Sequence, residues 1–203
     1  MADDFELIER WQSGDREAAD EFLVHYYPLL RRFFTAKLHD DAEREDLIQE
    51  TFVALVTAVE NFQKRSSAKA FVLSIARNKL HDHLRKRYRQ NEAYDPLHDS
   101  IADVLGKSPS SHAAAAEQSQ ILLNAIASLA VDDRILLELR YWHDMGSPEL
   151  ATIFELTPEA VRARLYRART ALEHVLRSQN PGRHPELLAT EEFLVRLREL
   201  DIE

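Results

Sequence analysis

Two clusters of cations at helical spacing carry the chemistry of this chain. Between Arg77 and Arg89 lie Arg77, Lys79, Arg85, Lys86, Arg87 and Arg89 against one acid, Asp82. Between Arg162 and Arg177 lie Arg162, Arg164, Arg167, Arg169 and Arg177 against Glu173. The whole 203-residue chain has a net charge of −9, so the sequence outside these stretches is more acidic still. Guanidinium and ammonium groups gathered in this way bind phosphates. Two separated cationic surfaces fit a polyanion held at two places, DNA first among the candidates. Taken singly, a run of charge also reads as a solvated helix face.

Other chemistry finds no support in the residues. His81 and His83 are two apart on a helix, point to different faces and do not make a metal pair. The nine histidines are scattered, and there is neither a glycine-rich phosphate loop nor a serine nucleophile in a recognisable setting. With no cysteine, a disulfide framework or a Cys-based zinc site is excluded. No catalysis, metal, cofactor or small-molecule substrate is expected. Met1-Ala2-Asp3-Asp4 lacks an apolar signal core, and no uncharged run is long enough to span a bilayer. No membrane insertion and a cytoplasmic location are the expectation.

These cations must be positioned by helices. Hydrophobic residues make up 45% of the chain and charged residues 30%, with four glycines, which favours helix over sheet in a globular protein. The length suits one large domain or two small ones. A short helix is expected from Asp4 to Trp11, ending near Gly14. Asp15 then caps a longer one, in which Ala18, Ala19, Phe22, Leu23, Tyr26, Leu29, Leu30, Phe33 and Phe34 recur near helical period. Pro28 inside that pattern predicts a kink or a split. Acids at Asp40, Asp41 and Glu43 open a third helix at the positive end of its dipole. Leu47, Ile48, Phe52, Leu55, Val56 and Val59 are its apolar set. Leu47 and Ile48 are adjacent, so one is expected to face the bundle and the other to lie at its edge. The segment Asn61 to Ser67 breaks the pattern. Ser67 caps a fourth helix that runs through Phe71, Val72, Ile75, Ala76, Leu80 and Leu84 into the first cationic stretch. Together these helices make a bundle of about ninety residues.

Periodicity fails from Asn91 to about His112, where Asp95-Pro96, Gly106 and Ser108-Pro109 read as linker. It resumes at Ile121 and continues through Leu129, Leu136 and Leu139. Ser147-Pro148-Glu149 starts a short helix with serine as its cap, and Thr157-Pro158-Glu159 starts an arginine-rich one soon after. Short helix, tight turn and longer helix make a helix-turn-helix pattern. In the longer helix Val161, Leu165, Ala168 and Leu172 should pack inward. Glu159, Ala163, Tyr166, Arg167 and Thr170 face outward, with Arg162 and Arg169 on one flank and Arg164 on the other. Such a face suits a major-groove reader, with side chains on bases and flanking guanidiniums on phosphates. Glu155 holds the turn position that glycine often fills, where a left-handed backbone costs ~1 kcal/mol or more. Asn180-Pro181-Gly182 ends this domain, and Thr190 to Leu200 makes a last amphipathic segment.

The run Asp46-Leu47-Ile48-Gln49-Glu50-Thr51-Phe52, followed by Ala68-Lys69-Ala70-Phe71-Val72-Leu73-Ser74-Ile75-Ala76-Arg77-Asn78, resembles region 2 of RNA polymerase sigma factors of the extracytoplasmic-function (ECF) group. Tyr26-Tyr27-Pro28 upstream is similar as well. Leu136 to Tyr141, Pro148 to Ile153 and Val161 to Leu172 resemble region 4 of the same group. The likeness covers about residues 5–178 in order, with Phe71 where tryptophan is common.

The resemblance implies an all-α protein of two small helical domains joined by a linker, the second a helix-turn-helix. Region 2 would span residues 1–90, the linker 91–114, region 4 115–178, and an extension 179–203. It implies a promoter-specificity subunit that binds polymerase core and directs initiation at −10 and −35 elements, without catalytic residues. Asp46, Leu47, Ile48, Gln49, Glu50 and Phe52 would dock on the core. Phe62, Lys64, Arg65, Arg77, Asn78, His81, Asp82 and Arg85 would contact the −10 element, the loop Asn61 to Ser67 holding a flipped base. Arg162, Ala163, Arg164, Tyr166, Arg167 and Arg169 would contact the −35 element. Partners would be RNA polymerase core and promoter DNA, and the resemblance allows an anti-sigma factor. A sigma mimic that titrates an anti-sigma factor would not need both cationic helices. A conventional helix-turn-helix regulator would leave the block from Asp46 to Arg89 unexplained.

Overall fold

The computed structural model describes residues 3–38, 40–90 and 124–179. Every regular element among the described residues is a helix, and the chain divides into two compact units. The expected linker and tail lie outside the described residues, apart from residue 179.

The first unit is built from α1 (Asp4–Gln12), α2 (Arg16–Thr35), α3 (Asp41–Ala58), a 3-10 turn (Val59–Asn61) and α4 (Ala68–Gln90). Local chemistry sets the helix starts. The chain turns from α1 into α2 at Gly14, whose φ of 95° is free of the steric cost a side chain would bring. Asp15 accepts hydrogen bonds from the amides of Glu17 and Ala18 at 3.0 and 3.1 Å. Asp40 accepts from Ala42 and Glu43 at the head of α3, and Ser67 Oγ from Ala70 at the head of α4. Each satisfies amides that have no partner in the first turn of a helix.

Helix α2 runs through Pro28 as one element, so the expected split does not occur. Proline removes the amide that would have bonded the Val24 carbonyl. Val24 and Pro28 are both exposed, which leaves that carbonyl to water. The core is made of Ile8, Phe22, Leu30, Phe33, Phe34, Leu47, Ile48, Leu55, Leu73 and Leu80. Helix α3 packs against both α2 and α4. Its buried arc is therefore wide enough to take two adjacent residues, and Leu47 and Ile48 both lie inside it. Neither sits at an edge. Val56, expected in the apolar set, is half exposed instead.

The second unit is built from a helical turn at residues 124–127, α5 (Val131–Tyr141), α6 (Ser147–Phe154) as far as Ala151, and α7 (Pro158–Gln179). Gly146, not Ser147, is the cap of α6. Its carbonyl accepts from the Leu150 amide at 3.0 Å, and Glu149 Oε2 accepts from the Gly146 amide at 3.0 Å. That back-reaching carboxylate is one arm of a capping box, and Pro148 lies in the first turn, where its missing amide is not needed. The helix ends at Glu155, which takes φ 55°, while the Leu156 amide bonds the Ala151 carbonyl at 3.0 Å. Thr157 Oγ1 then accepts from Ala160 at 3.2 Å and starts α7. The helix-turn-helix is present, with its left-handed glutamate. Val161, Leu165, Ala168, Leu172 and Leu176 are buried along the face of α7 that packs on α5.

Candidate nucleic-acid and polymerase interfaces

Helical phase sorts the cations of α4 into two sets. Lys79 and Arg87 turn toward α3. Lys79 Nζ lies 3.8 Å from Glu50 Oε2, and Arg87 Nη1 donates to Glu43 Oε2 at 3.0 Å. Asn78, Asp82, Arg85, Lys86 and Arg89 are exposed, whereas Arg77 and His81 are half-buried. Positions 78, 82, 85 and 89 follow one another along a single stripe. Arg85 pairs with Asp82 at 3.5 Å, both side chains 70% exposed, a contact worth little and easily exchanged for a phosphate. Lys86 and Arg89 belong to this surface although the sequence-based set stops at Arg85. Their spacing from Asn78 is the signal that finds them.

The loop ahead of α4 is held from inside the unit. Phe5 and Phe71 both pack on Phe62, with ring centroids 6.4 and 4.5 Å away. Phe62 is thus half-buried and anchors the loop, while Gln63, Lys64 and Arg65 are exposed. Lys64 takes φ 56°, and its ammonium pairs with Glu9 of α1.

On α3 the six residues implied for core binding do not share a surface. Leu47 and Ile48 are in the hydrophobic core and have no face to offer a partner. Asp46, Gln49 and Glu50 are exposed, and Phe52 is half-buried with its ring 6.5 Å from that of Tyr27. Beside them stand two exposed apolar side chains, Val53 at 70%, which the apolar set read from the sequence omits, and Val56 at 50%, which that set includes. Gln49, Val53 and Val56 fall on one stripe with Asp46 and Glu50 at its margin. An apolar strip rimmed by acids is the composition of a protein-docking surface, not of a DNA contact. In the sequence, the sign is that Val53 falls out of phase with Leu47, Thr51 and Leu55.

Helix α7 turns Ala163, Tyr166, Arg167 and Thr170 to solvent, with Tyr166 at 65% exposure. Arg162 is exposed beside them and donates to Glu159 at 2.7 Å. The backbone amide of Glu159 itself, then Arg162, holds the Glu159 carboxyl below the usual carboxylate range. Arg169 is half-buried, with Nη1 3.5 Å from the Tyr141 hydroxyl. Arg164 differs from the rest. Its Nε donates to Asp133 Oδ1 at 2.7 Å, and its Nη2 lies 3.5 Å from Asp132 Oδ2, all three side chains being largely covered. It clamps α7 to the first turn of α5, which corrects the DNA contact implied for it: the acids that hold it come from another helix.

Among the described residues no helix is long and apolar enough to cross a membrane. Residues 22–90 match the family model for sigma-70 region 2, and residues 119–172 match the model for sigma-70, region 4. The RNA polymerase sigma-H factor of Pseudomonas aeruginosa is 28% identical over 180 residues, covering 85% of this chain and 93% of that protein. The ECF RNA polymerase sigma factor SigC of Mycobacterium tuberculosis is 32% identical over 142 residues, 68% of this chain and 73% of its own. Among solved structures, the sigma factor RpoE of Bartonella quintana, in complex with the anti-sigma factor NepR, matches with a TM-score of 0.59. At 22% identity over 79% of this chain and 98% of that one, this is a likeness of fold. The two matched regions fall in order on the two helical units, and the chain belongs to the sigma-70 family of RNA polymerase sigma factors, in its ECF group, as a promoter-specificity subunit.

Proposed function

We propose that the two units divide promoter recognition, residues 1–90 engaging polymerase core and the −10 element and residues 115–178 the −35 element. The observation that carries this reading is the sorting of arginines on α7. Arg167 stands free on the outward face with Ala163, Tyr166 and Thr170, while Arg164 is withheld by two acids. Arg167 has the fork geometry to take a guanine edge, Ala163 a methyl surface for thymine, and Arg162 and Arg169 the charge for flanking phosphates.

In the first unit, the stripe Asn78, Asp82, Arg85, Lys86 and Arg89 would take the −10 strand, with Arg77 and His81 at its side. Gln63, Lys64 and Arg65 would hold an extruded base, and Phe62 supports their loop from beneath. Unstacking costs a few kcal/mol per step, which such polar groups offset once the polymerase has opened the duplex. Asp46, Gln49, Glu50, Val53 and Val56 would form the face for polymerase core, with Phe52 at its edge. The chain supplies no reacting group; the polymerase does the chemistry, in the cytoplasm. An anti-sigma factor, of the kind held by RpoE of Bartonella quintana, is a further proposed partner that would cover these same faces.

Run-off transcription with purified core polymerase tests the reading, using DNA from upstream of the gene itself as template. A discrete start is expected with core and this protein together. The protein alone should bind the same duplex weakly, because its acidic bulk repels DNA. Tight, sequence-specific binding without any effect of core would favour the conventional regulator. Binding to an anti-sigma factor with no transcription would favour the mimic.

A further inference from the structure

Helix α1 precedes the segment that matches region 2, which begins at residue 22. Three of its side chains nevertheless reach the loop ahead of α4. Gln12 Nε2 donates to two backbone carbonyls, Val59 O at 2.7 Å and Phe62 O at 3.1 Å. Both partners are acceptors, so only the amide nitrogen serves, and the contact itself settles the orientation of the carboxamide. The Val59 carbonyl also accepts from the Phe62 amide at 3.1 Å, and Gln12 takes its remaining lone pair where α3 gives way to the loop. Glu9 pairs with Lys64, whose φ of 56° is a left-handed value that a side chain disfavours. Phe5 stacks on Phe62 with the ring planes 14° apart. Helix α1 is itself tied to α2, through Tyr26 donating to Asp4 at 2.6 Å and Arg10 pairing with Asp15 at 2.7 Å.

We infer that α1 is a positioning element for −10 recognition and that Gln12 sets the path of the loop; this rests on the assignment of residues 61–67 to the −10 element. A loop without a ladder of backbone hydrogen bonds samples several paths, and ordering it only when DNA opens would subtract from binding. Fixing it beforehand removes that cost from the step in which a base is captured. Gln12 is an exposed side chain at the end of a helix, so a purely structural role would show as lost stability of the bundle and nothing more specific.

The test uses full-length Gln12→Glu in reconstituted holoenzyme. The substitution keeps shape but removes the donor and aims a carboxylate at two carbonyl oxygens. Promoter opening is read from a fluorescent adenine analogue in the −10 element, together with affinity for core and the thermal midpoint of the free protein. Opening should fall about tenfold, as expected for two lost hydrogen bonds, with core affinity unchanged and the midpoint lowered by no more than those two bonds contribute. Arg65→Ala, in the exposed part of the loop, tests the loop assignment separately. If Arg65→Ala impairs opening and Gln12→Glu does not, the positioning role is wrong and the loop assignment stands. If neither impairs it, the loop assignment fails and takes the positioning role with it. A Gln12→Glu protein that loses midpoint and core affinity in step with opening would show a structural residue and overturn the inference.

Discussion

Replacing Arg164 with alanine should damage the C-terminal unit and spare its choice of DNA sequence. The guanidinium meets Asp133 at 2.7 Å and Asp132 at 3.5 Å, with side-chain exposures of 27% for the arginine and 27% and 19% for the acids. An ion pair in full solvent contributes under ~1 kcal/mol, and breaking a buried one costs ~3–5 kcal/mol. This cluster lies between those limits. Both acids also sit in the first turn of α5, where the helix dipole keeps part of their stabilisation after the arginine is gone. A loss of about 2 kcal/mol follows, equivalent to a fall in thermal midpoint of roughly 10 °C for a unit of this size. Thermal unfolding by far-UV circular dichroism reads it directly. A double-mutant cycle with Asp133→Ala should return a coupling of about 1 kcal/mol, since the two single changes remove the same contact. Arg167→Ala is the contrasting case. Its stability should change by less than about 0.5 kcal/mol, while discrimination at one −35 base pair falls by ~1–3 kcal/mol. An Arg164→Ala protein that melts like the parent and loses −35 discrimination would refute the assignment of the two arginines.

Leu47→Ala deletes a side chain from the core and should cost about 2–5 kcal/mol in urea unfolding. Val53→Glu, on the exposed strip of α3, should leave that unfolding curve in place and weaken co-purification with polymerase core; full retention of core would remove α3 as the docking face. Glu155→Gly relieves a left-handed glutamate and should raise the thermal midpoint by the equivalent of about 1 kcal/mol, and a lowered midpoint would mean that the turn carries no strain. The Asp15 carboxyl is held below its ordinary range, first by the Ala18 amide and then by Arg10. A folded pKa depressed below the unfolded value of 3.8 gives stability that is present above that pH and is lost as pH falls through the folded value. Urea midpoints of wild type and Asp15→Ala should therefore differ at neutral pH and converge in acid; a constant gap would rule out the cap as the cause.

Much of this molecule is legible in its sequence because much of it is local. Asp15, Ser67 and Thr157 cap their own helices through amides two or three residues away, and the left-handed Glu155 follows from the spacing of two helices across a tight turn. The outward face of α7, from Ala163 to Thr170, is readable for the same reason: helical period alone separates it from Val161, Leu165, Ala168 and Leu172. Even the order of the two cationic helices survives folding unchanged.

Tertiary structure decided which faces are free. Arg164 stands on a flank of α7 by spacing, like Arg162, yet Asp133, thirty-one positions earlier, takes it out of play. Leu47 and Ile48 fall inside the core because α3 has a helix on both sides, and the same packing leaves Val53 and Val56 in solvent. Phe62 anchors its loop because Phe5 and Phe71 arrive from elsewhere in the chain, and Gln12 reaches a loop some fifty positions away. The reason is physical. Period and charge assign a side chain to a direction on its own helix, but what lies in that direction, whether protein, water or a counter-charge, is set by neighbours brought in through contacts that no local pattern encodes.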